Sequence, residues 1–132
     1  NYIDRQRGSL LGLYKTTVDG MFEEQSAPQT MGDRQGLRQL TLDNNSTKLQ
    51  ITTEGMVAFS LSHFDDAQFN YDVFYGGKHP YDLVRSNQIF AHFDFWQRGI
   101  GNRSCGGDSC LPQYMTPTGA HEFTLRFTPM AK

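Results

Sequence analysis

The chain has 132 residues and a formal net charge of −2, a length suited to one domain with a modest core. The near balance of charge excludes the basic stripe that nucleic-acid binding needs, and no apolar run approaches the roughly 20 residues of a membrane-spanning helix. Ten Phe, six Tyr and one Trp favour strands, and 13 Gly suit the many turns of an all-β fold.

Asn1-Tyr2-Ile3-Asp4-Arg5 has neither an initiating Met nor the basic-then-apolar pattern of a secretory signal. It reads as the interior of a motif, so residues 1–132 are expected to be a fragment, one domain cut from a larger chain. Leu10-Leu11-Gly12-Leu13-Tyr14 predicts a short apolar strand, and residues 19–36 a loop. Leu40-Thr41-Leu42 and Leu49-Gln50-Ile51 predict antiparallel strands joined by Asp43-Asn44-Asn45-Ser46, a run rich in turn residues. Glu54-Gly55 separates the second of these from a strand in which Val57, Phe59 and Leu61 alternate with Ala58, Ser60 and Ser62. Residues 37–62 therefore predict a three-stranded meander. Asp65–Phe69 and Pro80–Leu83 predict single helical turns, and residues 75–80 a loop. Ile89, Ala91, Phe93 and Phe95 form one face of a further strand; Phe90, His92, Asp94 and Trp96 form the other. Aromatics on both faces predict a central or doubly covered strand. The segment 99–120 is a long Gly-rich loop, of the kind that is usually functional or mobile. Phe123, Leu125 and Phe127 alternate with polar residues and predict a half-buried terminal strand. The whole reads as an all-β antiparallel β-sandwich, a class that fixes no activity.

No nucleophile constellation has local support. Gly-x-Ser-x-Gly is absent, and no base is identifiable beside Ser104. Cys105 and Cys110 could be two thiols, a disulfide or, with further ligands, part of a metal site. Glycosidase chemistry needs two carboxyls roughly 5–10 Å apart, and most acids here lie in turns. Asp94 is the exception, flanked by Phe93, Phe95 and Trp96. A buried carboxylate must be paired or hydrogen-bonded, so Asp94 reads as a clamp or, less simply, as a ligand contact. Trp96, the one Trp, reads as core or as a sugar-stacking platform. His63, His79, His92 and His121 are scattered and read as structural or solvent-facing.

Three stretches carry a resemblance. They are Asn1–Arg5; Pro28-Gln29-Thr30-Met31-Gly32-Asp33-Arg34 with Arg38; and Phe93-Asp94-Phe95-Trp96-Gln97-Arg98-Gly99-Ile100-Gly101 followed by Ser104-Cys105-Gly106 and Leu111-Pro112-Gln113-Tyr114. In this order and spacing they resemble the C-terminal domain of the large bacterial β-galactosidases of glycoside hydrolase family 2. The resemblance covers nearly the whole chain. It implies a β-sandwich similar to the galactose mutarotase fold, of which this chain is the C-terminal half. It places the two catalytic Glu residues of a retaining mechanism on an upstream barrel domain, together with any Mg2+ and Na+. It leaves no catalytic residue, cofactor or metal in this chain. It implies that Asn102, Arg103, Ser104 and Cys105 face the substrate, with Cys105 where relatives often carry Trp. A thiol offers less apolar surface than an indole, which weakens that stacking platform. Arg34 and Asp94 match family positions and are read as clamps that hold loops by charged hydrogen bonds. The implied partners are the upstream barrel, a galactoside and further copies of the parent, with neither nucleic acid nor membrane. Relatives usually carry Glu at the position of Thr30 and Pro-Tyr at Glu24-Gln25, departures that bear on contacts made by the loop 19–36.

The leading expectation is thus a non-catalytic C-terminal piece of a β-galactosidase that shapes the substrate cleft and supports assembly. The alternative is a freestanding carbohydrate-binding module of the β-sandwich type. A mutarotase-like enzyme would need a placed acid and base, and the sequence offers no such pair.

Overall fold

The computed structural model describes residues 4, 11–24, 32–69, 79–101 and 110–131. Within these the chain is all-β: the regular elements are four strands and four single 3-10 helical turns. Strands β1 (Arg34–Asp43), β2 (Lys48–Ser62), β3 (Phe90–Asp94) and β4 (Leu125–Met130) form one open antiparallel sheet of order β1-β2-β3, with β4 also paired to β2. By contact density the chain divides into two compact units. One holds Asn1–Leu11, Arg34–Ala58 and Asp94–Lys132; the other holds Gly12–Asp33 and Phe59–Phe93.

The β1–β2 hairpin follows from its turn. The Asn44 N–H donates to the Thr47 carbonyl at 3.2 Å and closes the loop. The Asn44 side-chain oxygen lies within 2.8–3.1 Å of four donors, the amides and hydroxyls of Ser46 and Thr47. Asn45 takes φ 68°, a left-handed conformation that Asn tolerates better than most residues. Asp43 and Lys48 pair at 3.3 Å across the ends of the strands, an exposed contact that contributes at most about 1 kcal/mol.

The expected meander is a hairpin instead, because Glu54-Gly55 does not turn the chain. Gly55 adopts φ +86°, and nothing lies within 4 Å of where its Cβ would stand. A left-handed glycine within a strand is the geometry of a bulge, which bends the strand and lets it continue. The Thr53 hydroxyl lies 2.9 Å from the Gly55 carbonyl and 3.2 Å from the Leu37 carbonyl, so its one proton can tie the bend to β1. β2 therefore runs 15 residues without a break.

β4 pairs with β2 in the register Leu49↔Pro129, Ile51↔Phe127 and Thr53↔Leu125. Pro129 has no N–H to give to a ladder, which suits an edge position. The core of this unit is Leu37, Ile51, Val57 and Ala58. Phe127 sits directly opposite Ile51, yet it is 55% exposed against 2% for Ile51. Phe123 is exposed as well and stacks on Phe95, with ring centroids 4.1 Å apart. The terminal strand thus forms over Leu125–Met130, but the expected half-buried alternation does not: Leu125 is half-buried and the rest of the strand is exposed.

Three expectations are corrected here. Leu11–Tyr14 is not a strand, and Leu11, Leu13 and Tyr14 are exposed; the apolar run has no ladder partner among the described residues. Among the described residues β3 ends the path β1-β2-β3, so the central placement of the expected central or doubly covered strand is not seen there. Trp96 lies just past β3 and is 45% exposed, so it is not core. The turns at Asp66–Gln68 and Pro80–Asp82 form as predicted, while those at Asp19–Met21 and Pro112–Tyr114 lie within segments read as loop.

In the second unit Met21, Leu61 and Phe69 are buried, and Phe22 packs on Phe64 with centroids 5.1 Å apart. The Gln68 amide donates to the Val84 carbonyl at 2.9 Å and accepts from the Val84 N–H at 2.7 Å, acting as a backbone mimic.

Removing core volume at Ile51 leaves a cavity, whereas truncating an exposed ring does not. Ile51→Ala is expected to cost about 2–5 kcal/mol, and Phe127→Ala less than half as much. Urea denaturation of the two variants in the isolated chain checks this. An equal loss at both positions would contradict the exposure of Phe127.

Candidate functional site

Of the residues expected to face the substrate, Asn102, Arg103, Ser104 and Cys105 lie outside the described residues. The structure describes both ends of their segment. Gly99–Gly101 enter it, and Cys110 followed by the 3-10 turn Pro112–Tyr114 leaves it. The two ends meet: the Gly99 N–H donates to the Tyr114 carbonyl at 2.9 Å. Pro112 at the start of its turn presets the backbone there, and the Tyr114 N–H returns to the Leu111 carbonyl at 2.9 Å.

A carboxylate from the far end of the chain closes this neck. Asp4 accepts the Ile100 N–H on one oxygen at 3.2 Å and the Gly101 N–H on the other at 2.7 Å. The successive amides of Ile100 and Gly101 converge on this one carboxylate, a concavity suited to an anion. Here the anion is internal. Hydrogen bonds to a charged acceptor are roughly twice as strong as neutral ones, so Asp4 is a substantial anchor for this backbone. Gly99 leaves room for it. A Cβ at that position would stand 2.7 Å from Asp4 Cγ, 2.8 Å from its Oδ2 and 2.9 Å from Cys110 Sγ. The Cys110 Sγ lies 3.6 Å from the Leu111 carbonyl.

The two residues expected to act as clamps lie in the same unit. Asp94 ends β3 and accepts from Gln97 Nε2 at 3.3 Å, and the Gln97 side-chain oxygen accepts from Gln35 Nε2 on β1. Arg34 opens β1 and is partly buried. Sequence reasoning quoted Asp4 within a motif but assigned it no role. The available signal was the co-occurrence of that motif with Gly99-Ile100-Gly101, two stretches far apart in sequence.

In the second unit a polar cluster also escaped notice. Arg85 grips the Asp19 carboxylate with Nε and Nη2, at 3.0–3.2 Å. His63 lies behind it, its Nε2 3.9 Å from Asp19. The His63 Nδ1 is 2.9 Å from the Gln88 carbonyl, so it carries the ring proton there. The Arg85 hydrogen bond holds the Asp19 carboxyl below the usual carboxylate range; desolvation opposes this, and the charges of Arg85 and His63 add to it. Elsewhere His92 pairs with Asp66 at 3.2 Å, His79 stacks on Tyr81, and His121 contacts the Pro117 carbonyl at 3.1 Å. All four His residues are thus engaged in local structure. No three His, Cys, Asp or Glu among the described residues are grouped to hold a metal ion, and no helix is long and apolar enough to cross a membrane.

A family model described as the β-galactosidase small chain matches residues 1–128. The chain is 28% identical over 127 residues to a β-galactosidase of Actinobacillus pleuropneumoniae, covering 96% of this chain and 11% of that protein. It is 29% identical over 121 residues to one of Aeromonas hydrophila, covering 92% of this chain and 11% of that protein. It is 26% identical over 128 residues to one of Streptococcus thermophilus, covering 96% and 12%. The chain therefore spans only about a tenth of the length of the curated relatives it matches.

Two outcomes follow from these contacts. Gly99→Ala forces a methyl group into the neck, and overpacking of this kind costs about 1–3 kcal/mol; thermal denaturation of the variant reads the loss. For Asp19, a depressed folded-state pKa means that its stabilising pair is intact above the unfolded carboxyl value. The pair is lost as pH falls through the lower folded value. Carboxyl carbon NMR titration of Arg85→Gln should show Asp19 moved back up toward the ordinary range.

Proposed function

The chain belongs to the β-galactosidase small-chain family, and from that membership we propose that it is a non-catalytic C-terminal β-sandwich domain of a β-galactosidase. The parent removes terminal non-reducing β-D-galactose residues from lactose-type β-galactosides. The two Glu residues of the retaining reaction, and any Mg2+ or Na+, belong to an upstream barrel domain. The segment Asn102–Cys105 leans into the cleft of that barrel and helps to shape it around the sugar. The remainder of the domain supports assembly of a homo-oligomeric parent.

One observation carries this reading: the family match runs over residues 1–128 of a chain only about a tenth as long as its relatives. The neck adds support. A segment that contributes to a substrate cleft must leave its scaffold in a fixed direction, and the ends of this one are tied by Asp4, Gly99 and Tyr114. A second reading, a carbohydrate-binding module, draws on Trp96 at 45% exposure and, in the other unit, Tyr81 at 81%. An exposed aromatic ring is a natural partner for the apolar face of a sugar.

Assay of the isolated chain and of the full-length protein on an aryl β-galactoside tests the first reading. The full-length protein is expected to turn the substrate over and the isolated chain to be inert. Turnover by the isolated chain would overthrow the non-catalytic assignment. Calorimetric titration of the isolated chain with galactose and lactose separates the second reading: saturable binding supports a module, and no binding at millimolar sugar argues against one.

A further inference from the structure

The register of β4 decides which of its backbone groups face away from the sheet. The Glu54 N–H donates to the Thr124 carbonyl at 3.4 Å, one step beyond the pair Thr53↔Leu125. Residues of an antiparallel pair alternate between exchanging both hydrogen bonds and exchanging none. Thr124 therefore sets the parity. Arg126, Thr128 and Met130 direct their amides and carbonyls at β2, and Leu125, Phe127 and Pro129 turn theirs away from it. Pro129 has no N–H, and it stands in the outward set, where a ladder to β2 loses nothing by it. Among the described residues β4 pairs with β2 alone, so the outward groups of Leu125 and Phe127 meet no other strand there. Natural edge strands are blunted by charge or covered. Over Leu125–Met130 this one carries a single charge, Arg126, and Phe127 at its centre is 55% exposed. Phe123, just before the strand, is exposed too.

We infer that the outer edge of β4 is an interaction surface: it receives an extended strand of the parent polypeptide from outside residues 1–132, and the sheet gains one strand by it. The inference rests on the reading of the chain as one domain of a longer β-galactosidase. A second sheet laid on this one would cover a face and leave the outward amides and carbonyls unanswered; a strand added in the same sheet answers them. The relatives show how much chain is available. The match covers 11–12% of their length, so roughly nine-tenths lies outside it. A segment of the same polypeptide is held near the edge at a high effective concentration, which a separate molecule is not. A second copy of β4 fits less well. Two copies paired antiparallel about Phe127 would set each Leu125 carbonyl opposite Pro129 of the other copy, which has no N–H to give. The strand that fits has residues other than proline opposite Leu125 and Phe127, and an apolar or β-branched side chain beside the Phe127 ring.

The test reads single amides in the full-length protein, by deuterium exchange with electron-transfer fragmentation of a peptide spanning Glu122–Ala131. The ladder to β2 slows Arg126, Thr128 and Met130 whatever lies outside. A strand on the outer edge is expected to slow Leu125 and Phe127 as well, by at least about 100-fold relative to an unstructured amide. An alternating pattern, with Leu125 and Phe127 fast between slow neighbours, means an open edge and overturns the inference. Slow exchange in both sets has a rival source in a second copy, and Phe127→Cys under mild oxidation separates the two. Copies paired about Phe127 would be joined by a disulfide and run as a dimer on a non-reducing gel, which overturns the assignment to the parent polypeptide. Slow Leu125 and Phe127, with no dimer beyond that of the unsubstituted protein, supports it. Should Phe127→Cys fail to fold, exchange of the unsubstituted protein over a dilution series carries the same comparison: protection lost on dilution belongs to a second copy and overturns the inference, and protection that persists supports it. Turnover of an aryl β-galactoside is read on the same sample. An inactive full-length protein that is slow at Leu125 and Phe127 keeps the strand pairing and loses the enzyme reading, so the two fail separately.

Discussion

The sheet depends on one strand keeping both edges of its backbone satisfied. Over Lys48–Thr53, β2 has the β1 hairpin partner on one side and β4 on the other, and it goes on to pair with β3. Alternate residues of a strand aim their amides and carbonyls at opposite edges, so neighbours on both sides account for nearly every polar group of the central backbone. That matters because a buried amide without an acceptor costs as much as a lost side-chain contact. Ile51, the apolar residue most completely buried with Val57, lies in this doubly paired stretch. The bulge at Gly55 is the condition for the strand's length. It bends the strand and raises its local twist, and β2 continues past it to pair with β3.

The neck around residues 99–101 is organised on a different principle. The neck at Gly99–Gly101 and Cys110–Tyr114 is tied by polar contacts to the backbone: a carboxylate on two amides, and an amide on a carbonyl. Apolar packing tolerates small shifts in position, whereas two hydrogen bonds from neighbouring peptides fix an orientation. The second unit uses the same device where Gln68 brackets Val84 and Arg85 brackets Asp19. In both units, side chains that act on backbone or on a charged partner hold irregular segments that have no ladder of their own.

Local chemistry was legible in the sequence, and distant chemistry was not. The Asn44-Asn45 turn and the helical turns at Asp66 and Pro80 each follow from a few adjacent residues, and each is present. Gly55 was misjudged because a glycine after Glu can equally well end a strand or bend one, and only the partners of the strand decide. Trp96 could be read as core or as an exposed platform for the same reason, since its exposure depends on what else covers that surface. The Asp4 clamp joins residues 96 and 97 positions apart, and the Arg85–Asp19 pair joins residues 66 apart. No spacing rule reaches that far. What the sequence did offer was three short motifs in a recognisable order, and two of the three turn out to touch.

Trp96 is the single indole of these 132 residues, and it stands half in water directly after β3. An indole in that state is a spectroscopic gauge. Its emission moves to shorter wavelength when neighbouring protein or a sugar displaces water from the ring, and to longer wavelength when the strand end frays. Because the chain has one such ring, the whole tryptophan signal comes from one place, two residues past the Asp94 that ends the strand and three before the glycine of the neck. The chain therefore carries its own optical probe of the end of β3.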